Sequence, residues 1–306
     1  MPIDVALLGC AHPHVPDVLG VVASEPDLRL VAAWDEDPGA VPSVLGGAAV
    51  RNVDTAIRRA HAVVICAPTD QRPALSLRAA QAGRPLLVEK PIALSATDGQ
   101  RLAREIERTR TPAMAALFLR RLPALERLAG VLRERLLGRL AGVDATFTHG
   151  GALEGMFDGP AAWMEDPARA GVGGFGDLAL HLLDALAVLA PDEPPRLAGV
   201  ALDAVGGTGL GRWAGVPMSV KASWAVRPGG FELTVAGGNA TAVLRGGVLE
   251  LHGEHGEPQR WVGPPPDAGE AVRGFADALR TRRFPRDGLS PAVRAHMALQ
   301  EAVRVA

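Results

Sequence analysis

Residues Val5–Gly20, VALLGCAHPHVPDVLG, join an apolar run, a turn at Gly9 and two histidines one residue apart. Two folds can use such a stretch. In a dinucleotide-binding unit it is the first strand and its phosphate loop, with Gly9, Ala11 and His14 in the three places of G-x-G-x-x-G. In a barrel hydrolase it is a first strand followed by two metal ligands, His12 and His14. A third reading makes them helix-start histidines without a ligand. The stretch alone does not choose, so the choice falls to the residues around it.

Outward from Gly9, the first ~120 residues alternate short apolar runs with helical patterns, which argues β-α-β units and a parallel sheet. The pattern predicts strands at residues 3–8, 28–34, 62–67, 85–88 and 113–117. Helices are expected near 13–24, 72–82 and 95–108, with Gly83 as the residue that ends the second. The remainder reads differently. Strand patterns follow one another at 142–149, 197–205, 218–226, 231–235, 240–244 and 248–252, several of them separated by Gly-Gly turns. Helices are expected at 175–190 and, as one or two, over 270–304. The expected architecture is α/β: a doubly wound Rossmann domain over residues 1–120, then an α+β domain over 121–306 with a large open mixed or antiparallel sheet.

Composition narrows the function. Of 306 residues, 48% are hydrophobic and 22% charged, with a net charge of −2, so no basic excess draws nucleic acid or an anionic membrane. The start shows no signal-peptide pattern, and the apolar stretch 178–190 is too short to span a bilayer. Two cysteines make no disulfide framework. A soluble cytoplasmic protein acting on a small molecule is the expectation. Only two of the 32 basic residues, Lys90 and Lys221, are lysines. Where a lysine survives in so arginine-rich a chain, the property to look for is a proton it can lose.

Lys90 stands in Leu86–Pro91, LLVEKP, at the carboxyl end of a parallel strand, the edge where open α/β sheets bind ligands. A solvated strand-end lysine is the alternative, but an arginine would serve there equally well. Further on, Asp177, His181 and Asp184 fall at i, i+4 and i+7 of an otherwise apolar helix, so they share one face. An imidazole beside a carboxylate can exchange a proton near neutral pH. The plainer readings are a helix cap at Asp177 and a core histidine at 181.

These stretches, with residues 79–94 (AAQAGRPLLVEKPIAL), 118–143, 163–184 (WMEDPARAGVGGFGDLALHLLD) and 274–285, resemble the Gfo/Idh/MocA family over nearly the whole chain. Glu-Lys-Pro with a later Gly-Gly…Asp-x-x-x-His is the specific pair. The resemblance implies a Rossmann domain, a second domain with an open sheet, and NAD(P)-dependent oxidation of sugars, polyols or cyclitols or reduction of the corresponding carbonyls. It assigns the catalytic roles to Lys90, Asp177 and His181. Lys90 and His181 would hydrogen-bond the reacting oxygen, His181 would move the proton, and Asp177 would orient a substrate hydroxyl or assist the histidine.

The opening stretch then reads as a phosphate loop that keeps only its first glycine, helped by His12 or His14. A metal site there would need further ligands at later strand ends, but His61 precedes its strand and His252 and His255 lie in a late hairpin, so no metal is expected. Asp35, ending the second strand, would bind the adenosine ribose and repel a 2′-phosphate, which favours NAD over NADP; a solvated acidic turn is the alternative. Ala67, Pro68 and Thr69 resemble the family's turn beside the cofactor, and Glu89 is placed with the cofactor-binding residues. The family usually has histidine where this chain has Arg72, and asparagine where it has Leu119. Leu119, with Phe118 beside it and no tyrosine anywhere, makes the pocket less polar than a sugar site. Arg121 and Trp163 are candidate substrate residues. Cys10 and Cys66 are expected as free thiols close together at neighbouring strand ends.

Two other functions fit the same fold: a non-catalytic sensor, suggested by the depleted glycine loop, and a lyase or hydrolase that retains NAD. An exposed sheet face would need a partner, so a homodimer or homotetramer through the C-terminal sheet is expected.

Overall fold

A computed structural model describes residues 2–303. In chain order it contains β1 (Ile3–Leu8), α1 (Val15–Ser24), β2 (Leu28–Trp34), α2 (Val53–Arg59), β3 (Ala62–Ile65), α3 (Arg72–Gln81), β4 (Leu86–Val88), α4 (Ala96–Thr109) and β5 (Ala113–Ala115). Then follow α5 (Pro123–Arg133), β6 (Leu140–Thr148), α6 (Pro167–Ala170), α7 (Gly174–Leu189), β7 (Arg196–Leu202), β8 (Gly206–Trp213) and β9 (Val216–Ser223). The chain continues through β10 (Gly230–Gly237), β11 (Ala240–Arg245), β12 (Val248–Gly253), β13 (Gln259–Val262), α8 (Gly269–Thr281) and α9 (Ser290–Val303). Two compact units result. One holds the residues up to 116 with 156–171 and 268–293; the other holds 117–155, 172–267 and those from 294 onward.

The first unit is a five-stranded sheet ordered β2-β1-β3-β4-β5, parallel throughout. Its strands are buried apolar runs, as a sheet covered on both faces requires. Local signals set the helix starts. Ser95 accepts the Asp98 N–H at 3.1 Å to begin α4, and Asn52 accepts the Thr55 N–H at 3.0 Å to begin α2. Helix α2 was absent from the sequence-based reading because its seven residues are too few to show a helical period. Gly83 adopts φ +67° after α3, the left-handed ending expected of it. The sequence places Cys10 and Cys66 at neighbouring strand ends, and the strand at residue 62 does lie beside β1; a doubly wound sheet of this kind has a further strand outside β2. The outermost strand, however, is reduced to one parallel bridge, Ala33 to Ala49, in a glycine- and alanine-rich segment with little side chain to pack.

The second unit is an eight-stranded sheet ordered β13-β12-β11-β10-β6-β9-β8-β7, antiparallel except where β6 lies parallel to β9. Val143, Ala145, Met218, Val220, Leu233, Val235, Ala242 and Leu244 are buried, while Asp144, Lys221 and Arg245 between them are exposed. This period-2 alternation marks a sheet with one face covered. Helix α7 packs on β9, β8 and β6, and two buried indoles fasten it: Trp213 Nε1 donates to the Leu186 carbonyl at 2.8 Å and Trp224 Nε1 to Asp177 at 3.0 Å. Strand β8 was missed in the sequence because GGTGLG reads as a turn. Its glycines serve close backbone approach instead: a Cβ at Gly211 would lie 2.0 Å from the Arg196 carbonyl of the paired strand. The stretch 167–189, which holds α6 and α7 and extends beyond the 178–190 run noted above, is long and apolar enough to cross a membrane by length and composition, but 78% of its most apolar window is buried inside the protein.

One core residue gives the fold a pH dependence. His296 on α9 is 2% exposed, and neither ring nitrogen has a hydrogen-bond partner among the described residues. Burial lowers its pKa to about 4 from an ordinary 6.5, so the ring is neutral in the folded protein. The unfolded chain binds this proton first as pH falls, so stability is full above pH 6.5 and declines between 6.5 and about 4. The expected loss from this group is about 3 kcal/mol at most. Urea denaturation across that range should show a shallower decline for His296→Leu than for the wild type; identical slopes would remove His296 as the cause.

Candidate active site and cofactor edge

In the first unit the site is built at the carboxyl ends of β1, β3 and β4. Gly9 turns at φ +88°, and a Cβ there would lie 2.1 Å from the Ala67 nitrogen, so no other residue fits. This approach makes residues 66–67 turn rather than strand, ending β3 at Ile65, two residues earlier than the sequence suggested. Cys66 donates its N–H to the Leu8 carbonyl at 2.8 Å, so Cys10 and Cys66 lie at neighbouring strand ends, as expected, and both are free. Burial, with the Asp35 charge beside it, pushes the Cys10 thiol up to about 12; burial raises Cys66 as well, so neither is a thiolate at neutral pH.

Asp35 sits at the tip of β2. Its two carboxylate oxygens accept the Cys10 N–H at 2.6 Å and the Asp37 N–H at 3.0 Å. The acid therefore organises the loop after β1, and its remaining lone pairs stay available to ribose hydroxyls.

The two histidines of the loop have distinct protonation. His12 Nδ1 accepts the His14 N–H at 3.0 Å, and burial holds its pKa well below the ordinary value. The ring is therefore neutral with its proton on Nε2, a buried donor that has no partner among the described residues. His14 Nδ1 lies 3.0 Å from Glu89 Oε1. Burial raises the Glu89 carboxyl, but His14, which bonds it, with His12 and Lys90 beside it, brings it below the usual carboxylate range. An ionised Glu89 obliges His14 Nδ1 to donate. The ligand atoms of His12, His14 and Glu89 lie within 4.8 Å of one another, close enough for a metal ion. The hydrogen bond from the His14 N–H instead leaves His12 protonated at Nε2, and that nitrogen suits an acceptor-bearing ligand better than a cation.

Arg72 ties the edge together. It is fully buried; Nε donates to the Ala67 carbonyl at 2.8 Å and Nη1 to the Pro91 carbonyl at 2.7 Å. Its guanidinium lies over Trp163, 5.5 Å from the ring centroid, and Trp163 Nε1 donates to the Ala11 carbonyl at 3.3 Å. One side chain thus links the turn after β3, the segment after β4 and, through Trp163, the loop after β1. Lys90, 2% exposed, is carried on the segment so fixed, and Lys221 is exposed on β9. The buried Nε2–H of His12 and the unpartnered Oγ1 of Thr69, with the close turn at Gly9, fit a dinucleotide, whose phosphates supply acceptors.

In the second unit, α7 carries Asp177, His181 and Asp184, all buried. Asp177 accepts from Trp224 Nε1, and Asp184 receives the fork of Arg120, at 2.9 Å from Nε and 2.6 Å from Nη2. The His181 ring centroid lies 4.4 Å from that of Phe118 and 6.1 Å from that of Phe147. Arg121, on the same short turn as Phe118, is exposed.

Within the first unit, then, Gly9, Ala11, His12, His14, Asp35, Ala67, Pro68, Thr69, Glu89 and Lys90 fall on one edge, and Trp163 is held against its loop. The sequence-based reading registered Arg72 only as a departure and missed Trp224 and Arg120. No local pattern marks such partners, since each reaches at least one residue between 19 and 91 positions away.

A family model described as "Oxidoreductase family, NAD-binding Rossmann fold" matches residues 3–116, and the matching GFO/IDH/MocA C-terminal domain covers 125–243. The chain belongs to the Gfo/Idh/MocA family. Inositol 2-dehydrogenase of Rhizobium meliloti (strain 1021) is 30% identical over 184 residues, 59% of this chain and 53% of that protein. Levoglucosan dehydrogenase of Pseudarthrobacter phenanthrenivorans is 26% identical over 124 residues, 40% of this chain and 31% of that protein. The chain thus spans about half the length of the first of these relatives and a third of the second. An inositol dehydrogenase homolog from Azotobacter vinelandii, solved with NAD+, shares the fold at a TM-score of 0.82 and 18% identity, covering 100% of this chain and 95% of that one. Another structure of this fold holds NADP.

Arg72→Lys keeps the charge but cannot serve two carbonyls and a ring in one plane. It is expected to lower the unfolding free energy by about 1–3 kcal/mol. Wild-type stability in urea denaturation would show that the guanidinium does not hold the edge.

Proposed function

We propose that the chain is an NAD-dependent oxidoreductase that interconverts a hydroxyl and a carbonyl on a sugar, polyol, cyclitol or similar small molecule. The observation that carries this reading is the buried lysine at the tip of β4, fixed on the dinucleotide edge of a Rossmann unit, in a chain that uses arginine almost everywhere else. The family supports the chemistry, and the relatives named for inositol and levoglucosan support the substrate class.

Bound nicotinamide supplies the hydride acceptor or donor. Gly9, Ala11, His12, His14 and Thr69 would hold its phosphates, Asp35 its adenosine ribose, and Ala67, Pro68 and Glu89 its nicotinamide end. Lys90 and His181 would hydrogen-bond the reacting oxygen, with His181 taking the alcohol proton during oxidation and returning it during reduction. Asp177, oriented by Trp224, would steady a substrate hydroxyl or the imidazole. The acid at Asp35 favours NAD over NADP, because it would repel a 2′-phosphate.

Thermal unfolding with NAD, NADH, NADP and NADPH in turn tests the cofactor. A nucleotide at about a hundred times its Kd adds about 2.7 kcal/mol, and the largest shift is expected from NAD or NADH. No shift with any of the four would end the oxidoreductase reading.

Lys90→Arg should keep its NAD affinity and lose at least ~100-fold in kcat on any alcohol the wild type oxidises, the scale of a missing acid–base group. Full turnover in this variant would end the role given to Lys90.

A further inference from the structure

The first unit is not completed by its β-α-β residues alone. Residues 156–171 return to it after β6 and fasten to the segments that follow three of its strands. After β1, Trp163 Nε1 donates to the Ala11 carbonyl at 3.3 Å, and the indole lies 5.8 Å from the His12 ring, centroid to centroid. After β3, Asp70 donates its N–H to the Arg169 carbonyl at 3.1 Å, and the Arg169 guanidinium lies 3.6 Å from the Asp70 carboxylate. After β4, Gly171 turns at φ +77° so near Leu94 that a Cβ there would lie 2.9 Å from the Leu94 backbone. Trp163 itself is buried, 5% exposed, with the Arg72 guanidinium over its ring.

The loop after β1 is the one that needs such a hold. In a dinucleotide fingerprint the second glycine lets the backbone approach the diphosphate, and the third packs the helix on the strand. Ala11 and His14 stand in those places here. Ala11 is the residue whose carbonyl the indole engages, and His12, the next in the chain, packs against the same ring. The loop is thus fixed from outside, by a side chain 152 positions away. A loop already held in its bound form costs less to order when the ligand arrives. Resting on the oxidoreductase reading, we propose that Trp163 is a positioning residue for the nicotinamide nucleotide, not a substrate residue. It acts through Ala11 and His12 and keeps the loop in the form that receives the diphosphate. The dinucleotide-binding element of this chain is then residues 3–116 together with 156–171.

Calorimetric titration of the whole protein with NAD+, ADP-ribose and adenosine tests this. A loosened phosphate loop weakens the two ligands that carry the diphosphate and spares adenosine, whereas a general loosening of the fold weakens all three. Trp163→Phe keeps an aromatic face for Arg72 and His12 and loses the N–H. It should raise the Kd for NAD+ and for ADP-ribose about two- to tenfold, the worth of one hydrogen bond. Trp163→Leu removes the ring as well and should raise the same two constants by more than the phenylalanine variant does. In both variants the Kd for adenosine should stay within about twofold of the wild type, the scale of a contact left unchanged. Wild-type affinity for NAD+ in Trp163→Leu, or a parallel loss for adenosine, would overturn the proposal and leave the oxidoreductase reading standing. Should the leucine variant fail to fold, Trp163→Phe decides alone, and an unchanged Kd for NAD+ and ADP-ribose in it overturns the proposal. Failure of the wild type to bind any of the four nicotinamide nucleotides would instead remove the reading on which it rests.

Discussion

A buried guanidinium holds the edge on which the first unit's chemistry stands. Arg72 reaches the Ala67 carbonyl with one nitrogen and the Pro91 carbonyl with another while stacking over Trp163. Burying a cation is costly, and here hydrogen bonds to carbonyl oxygens and an aromatic face help to offset that cost. The return is positional. The turn beside the cofactor site and the segment bearing Lys90 are fixed to one rigid fork, and the loop after β1 is held to the same group through the indole. Preorganisation of this kind lets a proton-transfer group act without reorganising first.

The loop itself shows how a glycine fingerprint can be replaced. Gly9 survives because a Cβ would collide with the Ala67 backbone. At the other two places the close approach that glycine permits has given way to side chains, and His12 presents a neutral N–H. Asp35, held to the Cys10 amide, keeps the loop in place. Hydrogen bonds between these groups decide their protonation, and protonation decides between the two ligand types a His-x-His sequence suggests. In the second unit the same economy is visible. Asp177 and Asp184 are each engaged by a partner from another element, and the imidazole between them packs against phenyl rings.

Much of this was legible in the residues. The β-α-β alternation, the strand-end Lys90 and the shared face of Asp177, His181 and Asp184 are short-range patterns, with periods of two or 3.6 residues. The hairpin partner β8 was not legible, because its glycines serve packing against a strand that only the fold brings near. The same holds for Arg72. The resemblance to the family marks it only as a departure from an expected histidine, and its two carbonyl acceptors are backbone atoms that leave no trace in composition. The tautomer of His12 follows from one amide two residues away, a contact that depends on the turn at Gly9.

The central claim is that the Lys90 amine stands at the nicotinamide nucleotide's site, and the scarcity of lysine makes it directly observable. Protein labelled with 13C at the lysine ε-carbon should give two side-chain signals, from Lys90 and Lys221, assigned by the loss of one in Lys90→Arg. Adding NAD+ should move the Lys90 signal and leave that of Lys221 in place. A Lys90 signal that stays unmoved while NAD+ demonstrably binds would contradict the account.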